Sequence, residues 1–297
     1  MINNPSKPAL STRNKTFAVA ALVWLLLTAG AYANNIAVTN IKLTGQNISG
    51  QYSLVQFDIS WENSWRTSSA SYNYDAAWVF VKYSIPVTSG GDGLWKHAWF
   101  NDAGHTAPSG STVDIGLLSP SGYFNPTTNP GQGAFIYRDA NGTGAFTKTG
   151  VQLRWNYGAN SVADNAVVDI QVFAIEMVYV PTGSFYVGSG GTESGAFYKY
   201  PTTTNPYQIA SEGQITVGTA TGNLYYPSGM NAGDRLGPIP AAFPKGYNAF
   251  YCMKYEISQQ EYVDFLNTLT YTQQDTLTGN APSSAAGTAA FINAFRN

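Results

Sequence analysis

The chain has 297 residues, 15 Lys+Arg against 17 Asp+Glu, and only 11% charged residues. This slight acidic excess speaks against a general nucleic-acid binder, which needs a basic face to neutralise phosphates. A single cysteine, Cys252, excludes any intrachain disulfide, so stability must come from packed cores.

Lys7, Arg13 and Lys15 precede an apolar run at 17–27 (FAVAALVWLLL), and Ala31-Tyr32-Ala33 offers a small-x-small cleavage site. Together they form the pattern of a cleavable secretory signal peptide over residues 1–33. The apolar run is shorter than the roughly 20 residues of a membrane span. No transmembrane span is therefore expected, and the mature chain, starting near Asn34, is placed outside the cytoplasm: secreted, periplasmic or at the cell surface.

Residues 36–43, 52–61, 76–85, 95–100, 113–118, 134–138, 151–157 and 166–175 read as strands. They are rich in Val, Ile, Phe, Tyr and Trp, and Gly, Asn, Pro and Ser fill the gaps. This series, with no helical period, predicts an antiparallel β-sandwich over residues 34–175, a closed barrel being the alternative. The mature chain's tryptophans all lie between Trp61 and Trp155, with His97 and His105 among them, which predicts a boundary near 175/176. Beyond it, 177–187 reads as β. Residues 189–246 form a Gly-, Thr-, Pro- and Tyr-rich stretch too long for a plain connection, with a candidate hairpin between 214–217 and 223–226. A strand is expected at 249–256, where Cys252 reads as a small buried apolar residue. A helix follows: Ser258 and Glu261 make a capping box, and Tyr262, Phe265, Leu266 and Leu269 form one apolar face. Residues 289–295 are a candidate for one more helix.

Few side chains suggest chemistry. Asp139-Ala140-Asn141-Gly142-Thr143-Gly144 has the spacing of half a calcium loop, but Gly150 stands where the closing Glu belongs, so it reads as a hairpin turn. His97 and His105 flank Asp102 without a third ligand at metal-site spacing. No hydrolase, zinc-protease or phosphate-loop motif is present, so no catalytic, cofactor-binding or metal residue is assigned. Trp65, Trp95 and Trp99 are the candidate ligand-stacking rings, Trp65 being the best placed for exposure in its polar stretch.

Two segments of the second half resemble the formylglycine-generating enzyme family, also called sulfatase-modifying factors. Residues 177–189 (MVYVPTGSFYVGS) are similar to the family's opening hairpin: an apolar strand, a Pro-Gly-Gly-type turn, here at Pro181 and Gly183, then Phe-x-Met-Gly. Residues 250–267 (FYCMKYEISQQEYVDFLN) are similar to its strand ending in Tyr-Glu-Val-Thr/Ser and the helix that follows. Thr182 and Val187 replace the more usual Gly and Met. Added to the β-sandwich read from the strand series, the resemblance implies, over 176–297, the first part of an α+β, C-type-lectin-like domain with an insertion at about 189–246, and so a mainly β protein. For the full-length protein it implies metal-dependent oxidation of a sulfatase cysteine to formylglycine, with copper or iron as cofactor and sulfatases as partners. The family's paired copper-binding cysteines lie in its C-terminal part, onto which nothing here maps. The chain is therefore expected to be a C-terminally truncated fragment. Glu256, just before the helix, reads as a structural carboxylate near free backbone N–H groups. The alternative is a non-catalytic cell-surface protein that binds glycans or proteins on the same scaffold. Whether the protein is an enzyme stays open between the two.

Overall fold

A computed structural model of the chain describes residues 35–290, except 70, 121, 194 and 227–236. The expected signal peptide and most of the expected helix at 289–295 lie outside the described residues. Among the described residues, no helix is long and apolar enough to cross a membrane. The described residues from Ile36 onward group as one unit.

The fold is mainly β and built on one large antiparallel sheet. β1 (Ala37–Asn47), β2 (Tyr52–Arg66) and β7 (Gly142–Trp155) form one arm, with β2 in the middle. The other arm centres on β3 (Tyr74–Ser84). β8 (Asp169–Val180) pairs along the whole of β3 on one side; β4 (Lys96–His97) and β6 (Gly131–Tyr137) share the other. β5 (Thr112–Leu117) pairs with β6, and β13 (Phe250–Met253) pairs with β8. The arms join where Arg66 pairs with Tyr74.

The strand period of two sends every other residue to one side. Val55, Phe57, Ile59 and Trp61 of β2 thus face Ala77, Val79, Val81 and Tyr83 of β3 in a single core. Val151, Leu153 and Trp155 of β7 join them. The rings of Trp61 and Phe146 meet at 4.1 Å. Each such large side chain contributes roughly 1.5–3 kcal/mol of burial. The boundary expected at 175/176 falls inside β8, which runs unbroken through it.

Beyond β8 the pieces are small. β9 (Phe185–Val187) pairs with β11 (Tyr207–Ile209), and β10 (Tyr198–Lys199) with β12 (Leu224–Tyr225). Ile209, Ile215 and Leu224 make their core. Two expected pairings give way here. β8 and β9 flank the turn at Pro181 and Gly183 but do not pair with each other. The hairpin between 214–217 and 223–226 is replaced by one parallel bridge, Val217 to Leu224, while Ile215 pairs with Ile239. The carboxylate of Glu212 accepts from the backbone N–H of Lys245, Tyr247 and Asn248 at 2.6, 2.8 and 3.0 Å, and so fastens the return to β13. Those hydrogen bonds hold its pKa below the usual carboxylate value.

Two short helices follow, α1 (Gln259–Leu266) and α2 (Tyr271–Leu277). In α1 the expected capping box is complete: Ser258 Oγ accepts from Glu261 N–H at 3.2 Å, and Ser258 N–H donates to Glu261 Oε2 at 2.9 Å. The capping carboxylate is thus Glu261, and Glu256 is exposed. Ser258→Ala is expected to lower the urea midpoint by the equivalent of about 1 kcal/mol. α2 was not legible from apolar spacing, but Thr270 and Gln273 give it a box of the same kind.

Candidate functional site

The outward face of the β6–β3–β8–β13 strip is paved with rings. Register sets Trp78 opposite Phe135, Tyr74 opposite Tyr179, and Tyr179 opposite Tyr251. Tyr74 stacks on Tyr179 at 4.7 Å between centroids and meets Tyr137 at 4.7 Å on its other side. Tyr251 reaches back across the strip onto Phe135, at 3.8 Å with planes 10° apart. Ala76 lies on this face between them and is fully buried, and only so small a side chain leaves the rings room to meet. The hydroxyls of Tyr74 and Tyr251 hydrogen-bond at 2.9 Å. All six rings remain partly exposed.

Trp78 is seated differently. A Cβ on Gly133 would come within 2.5 Å of its Cζ2, and one on Gly116 within 2.6 Å of its Cη2 and Cζ3. The far edge of the indole therefore fills the space of two missing side chains on neighbouring strands. With that edge near Cβ height over two neighbouring strands, the indole reaches across the sheet rather than standing off it.

Charge on this face is muted. The guanidinium of Arg66 lies 5.0 Å from the Tyr74 ring and 5.4 Å from the Tyr137 ring, and it donates to the carbonyl of Arg138 at 2.5 Å. Burial pushes the Tyr137 hydroxyl up to about 12. Burial, reinforced by the bond to Tyr74, raises that of Tyr251 as well. Both remain neutral phenols at physiological pH, able to donate and accept hydrogen bonds but not to act as bases.

Beneath the rings lies an ion cluster. Lys254 Nζ sits 3.0 Å from Asp75 Oδ2 and 2.9 Å from Glu176 Oε2, with side-chain exposures of 7%, 0% and 1%. Asp75 also accepts from Trp61 Nε1, Ser64 Oγ and the N–H of Trp65, at 2.8, 2.8 and 3.0 Å. Glu176 Oε1 is buried with no hydrogen-bond partner. Burial pushes the Glu176 carboxyl up, against the pull of Lys254. Burial alone would lower the Lys254 ammonium, but its bonds to Glu176 and Asp75 outweigh that and raise it. No ligand reaches so closed a cluster. Its role is to fasten the end of β13, and with it Tyr251, to β2, β3 and β8.

The tryptophans picked out from the sequence lie elsewhere. Trp65 pairs with Thr143 at the start of β7, and its Nε1 donates to Asn73. The carbonyl of Trp99 accepts from Asn156 N–H, just past the end of β7. The length of β7 separates them, about 40 Å at strand rise. Trp95 and Trp99 are both partly buried. The three do not form one platform.

The remaining candidates are also placed. His105 accepts from the N–H of Arg154 at Nδ1, 3.1 Å, so its Nε2 carries the proton and donates to the carbonyl of Asn101 at 3.0 Å. Burial lowers the pKa of both His105 and His97. The loop at Asp139 and Gly142 is not a hairpin turn: it carries the chain from β6 to β7, which do not pair with each other. Cys252 is exposed, contrary to expectation: β13 is short and pairs with β8 alone among the described strands. Among the described residues, no three His, Cys, Asp or Glu side chains converge as a metal cage requires. A two-thiolate copper centre does not fit a sequence whose sole cysteine is Cys252.

The aromatic face and the ion cluster were both missed by sequence reasoning. One signal was present: Glu176 stands alone in the apolar run 172–180 (VFAIEMVYV), and a buried carboxylate needs a partner. Comparison with protein-family models, curated proteins and solved structures finds no match to this chain.

Proposed function

We propose that this is an exported binding protein whose ligand lies on the aromatic face, and that residues from 176 onward belong to a formylglycine-generating-enzyme-type, C-type-lectin-like domain. One observation carries the binding reading. Tyr251, from the segment that resembles that family, stacks on Phe135 of β6 and bonds Tyr74 of β3. Rings from both compositional halves thus build one surface, and a shared surface of this kind suits recognition. Export is supported by the leader-like pattern of Lys7, Arg13, Lys15 and Ala31–Ala33.

The test is retention of the purified chain on insoluble cell-envelope material from the producing organism. Trp78→Ala and Tyr251→Ala are each expected to weaken retention tenfold or more, the scale of an aromatic hot spot. Trp95→Ala, off this face, should leave it unchanged. Retention indifferent to Trp78 and Tyr251 would falsify the binding reading.

A second reading is the family's oxidation of a sulfatase cysteine by the full-length protein. It is favoured by the pairing of the two family-like segments, Phe250 with Val180 through Met253 with Met177, followed directly by the capped helix α1. Mass spectrometry of a sulfatase-derived cysteine peptide, incubated with the product of the whole reading frame, tests it. A peptide that keeps its cysteine under aerobic conditions with copper supplied counts against it.

A further inference from the structure

We infer that the ligand of the aromatic face is an uncharged polysaccharide, stacked on Trp78 and the tyrosines and continuing into the neighbouring groove beyond Tyr179. This rests on the binding reading above and adds the ligand's chemical class and the second half of its path.

The groove holds about 880 Å³ and lies between the β2–β3 loop, the turn after β8 and the approach to β13. Tyr179 belongs to both places: it stacks on Tyr74 in the aromatic face and lines the groove. Tyr72, 62% exposed, and Phe250, 42% exposed, also line it, Phe250 from the opposite side of β13 to Tyr251. Ser71, Asn73 and Ser184 supply neutral hydrogen-bonding groups.

Charge selects the class. Among the described residues, the one cation lining the groove is Lys245, which already donates to the carbonyls of Glu212, Pro240 and Phe243. Arg66 is committed to two tyrosine rings and a carbonyl, and Lys254 to its buried carboxylates. The exposed carboxylate of Asp114, opposite Phe135 on β5, adds a negative charge at the margin. Such a surface repels nucleic acid, sulfated or uronic polymers and anionic headgroups, which need free cations. It suits a chain of hydroxyls and C–H bonds. Pyranose C–H groups carry partial positive charge and lie well on the negative face of a flat indole, and Asp114 accepts from sugar hydroxyls. A protein partner fits less well, because protein hot spots seat their anchors in pockets, whereas the far edge of Trp78 lies close down over Gly116 and Gly133.

Affinity electrophoresis of the full chain tests this, with hydroxyethylcellulose, xylan, mannan or dextran sulfate cast in the gel. At least one neutral polymer should retard the chain, and retardation should survive about 0.5 M NaCl, where the Debye length falls to a few ångströms. Trp78→Ala, and separately the double variant Tyr72→Ala/Phe250→Ala, should weaken it tenfold or more. The double variant alters exposed rings only, so it stays informative if Trp78→Ala fails to keep the wild-type far-UV spectrum. Three results would overturn the inference: retardation by dextran sulfate alone, retardation indifferent to the variants, or self-association of the wild-type chain abolished by Trp78→Ala. If no neutral polymer retards the chain while envelope retention still depends on Trp78, the polysaccharide class falls and the binding reading stands. If both fail, both fall.

Discussion

Lys254→Met is expected to lower stability by about 3–5 kcal/mol, the cost of breaking a buried ion pair from one side. The variant leaves Asp75 and Glu176 facing each other in a site from which water is excluded. Glu176→Gln should cost far less, since Lys254 keeps Asp75 and the unpartnered Oε1 position gains a neutral atom. The pH dependence has a definite sign. The Glu176 carboxyl is raised in the folded state. Its contribution is therefore fully present below the ordinary carboxylate range and is lost as pH rises through the folded value. Without Lys254 the main downward pull is gone, so the deficit of Lys254→Met should shrink at about pH 5 relative to about pH 8. Urea denaturation of wild type and both variants at the two pH values checks this. A loss below about 1 kcal/mol, or one independent of pH, would mean that the cluster is wetter than its burial indicates.

The second large effect is expected at Gly133. Its substitution by Ala puts a methyl 2.5 Å from the Trp78 ring and 2.7 Å from the backbone carbonyl of Val79. The ring can tilt away; the carbonyl, inside a paired strand, cannot. A loss of about 1–3 kcal/mol is expected, as for overpacking in a core. Gly116→Ala meets only the far edge of the same ring, so its cost should be smaller and should vanish in a Trp78→Ala background. Thermal melts of the four variants form a double-mutant cycle. Additive losses from Gly116→Ala and Trp78→Ala would sink the account of the indole's seat.

What the sequence disclosed divides along physical lines. Strands such as β2 and β3 were legible because one face of each is buried, so alternation wrote itself into residues such as Val55, Phe57, Ile59 and Trp61. The capped start of α1 was legible because Ser258 and Glu261 act within one turn. Partners were not. Nothing local says that β8 ignores β9 and takes β3 and β13, since pairing is decided by tertiary fit. For the same reason the exposed edge position of Cys252 was invisible. The aromatic face was hidden by abundance. With Trp and Tyr spread along the first half, only register shows that Trp78 joins Phe135 and Tyr74 while Trp65 and Trp99 sit a strand's length apart. Glu176 left one clue, a lone charge in an apolar run, which says that a partner exists but not that it is Lys254.

The long β3–β8 ladder also bears on how the chain reaches its native state. Its paired residues stand roughly a hundred positions apart in sequence, from Tyr74 with Tyr179 to Ser84 with Asp169, and β2 waits on β7 over a similar span. Closing such loops precedes any reward from their contacts, so folding belongs in the slow, millisecond-to-second class. A nascent chain of this topology leaves β3 without its full-length partner until β8 has been made, so the sheet is completed late in synthesis.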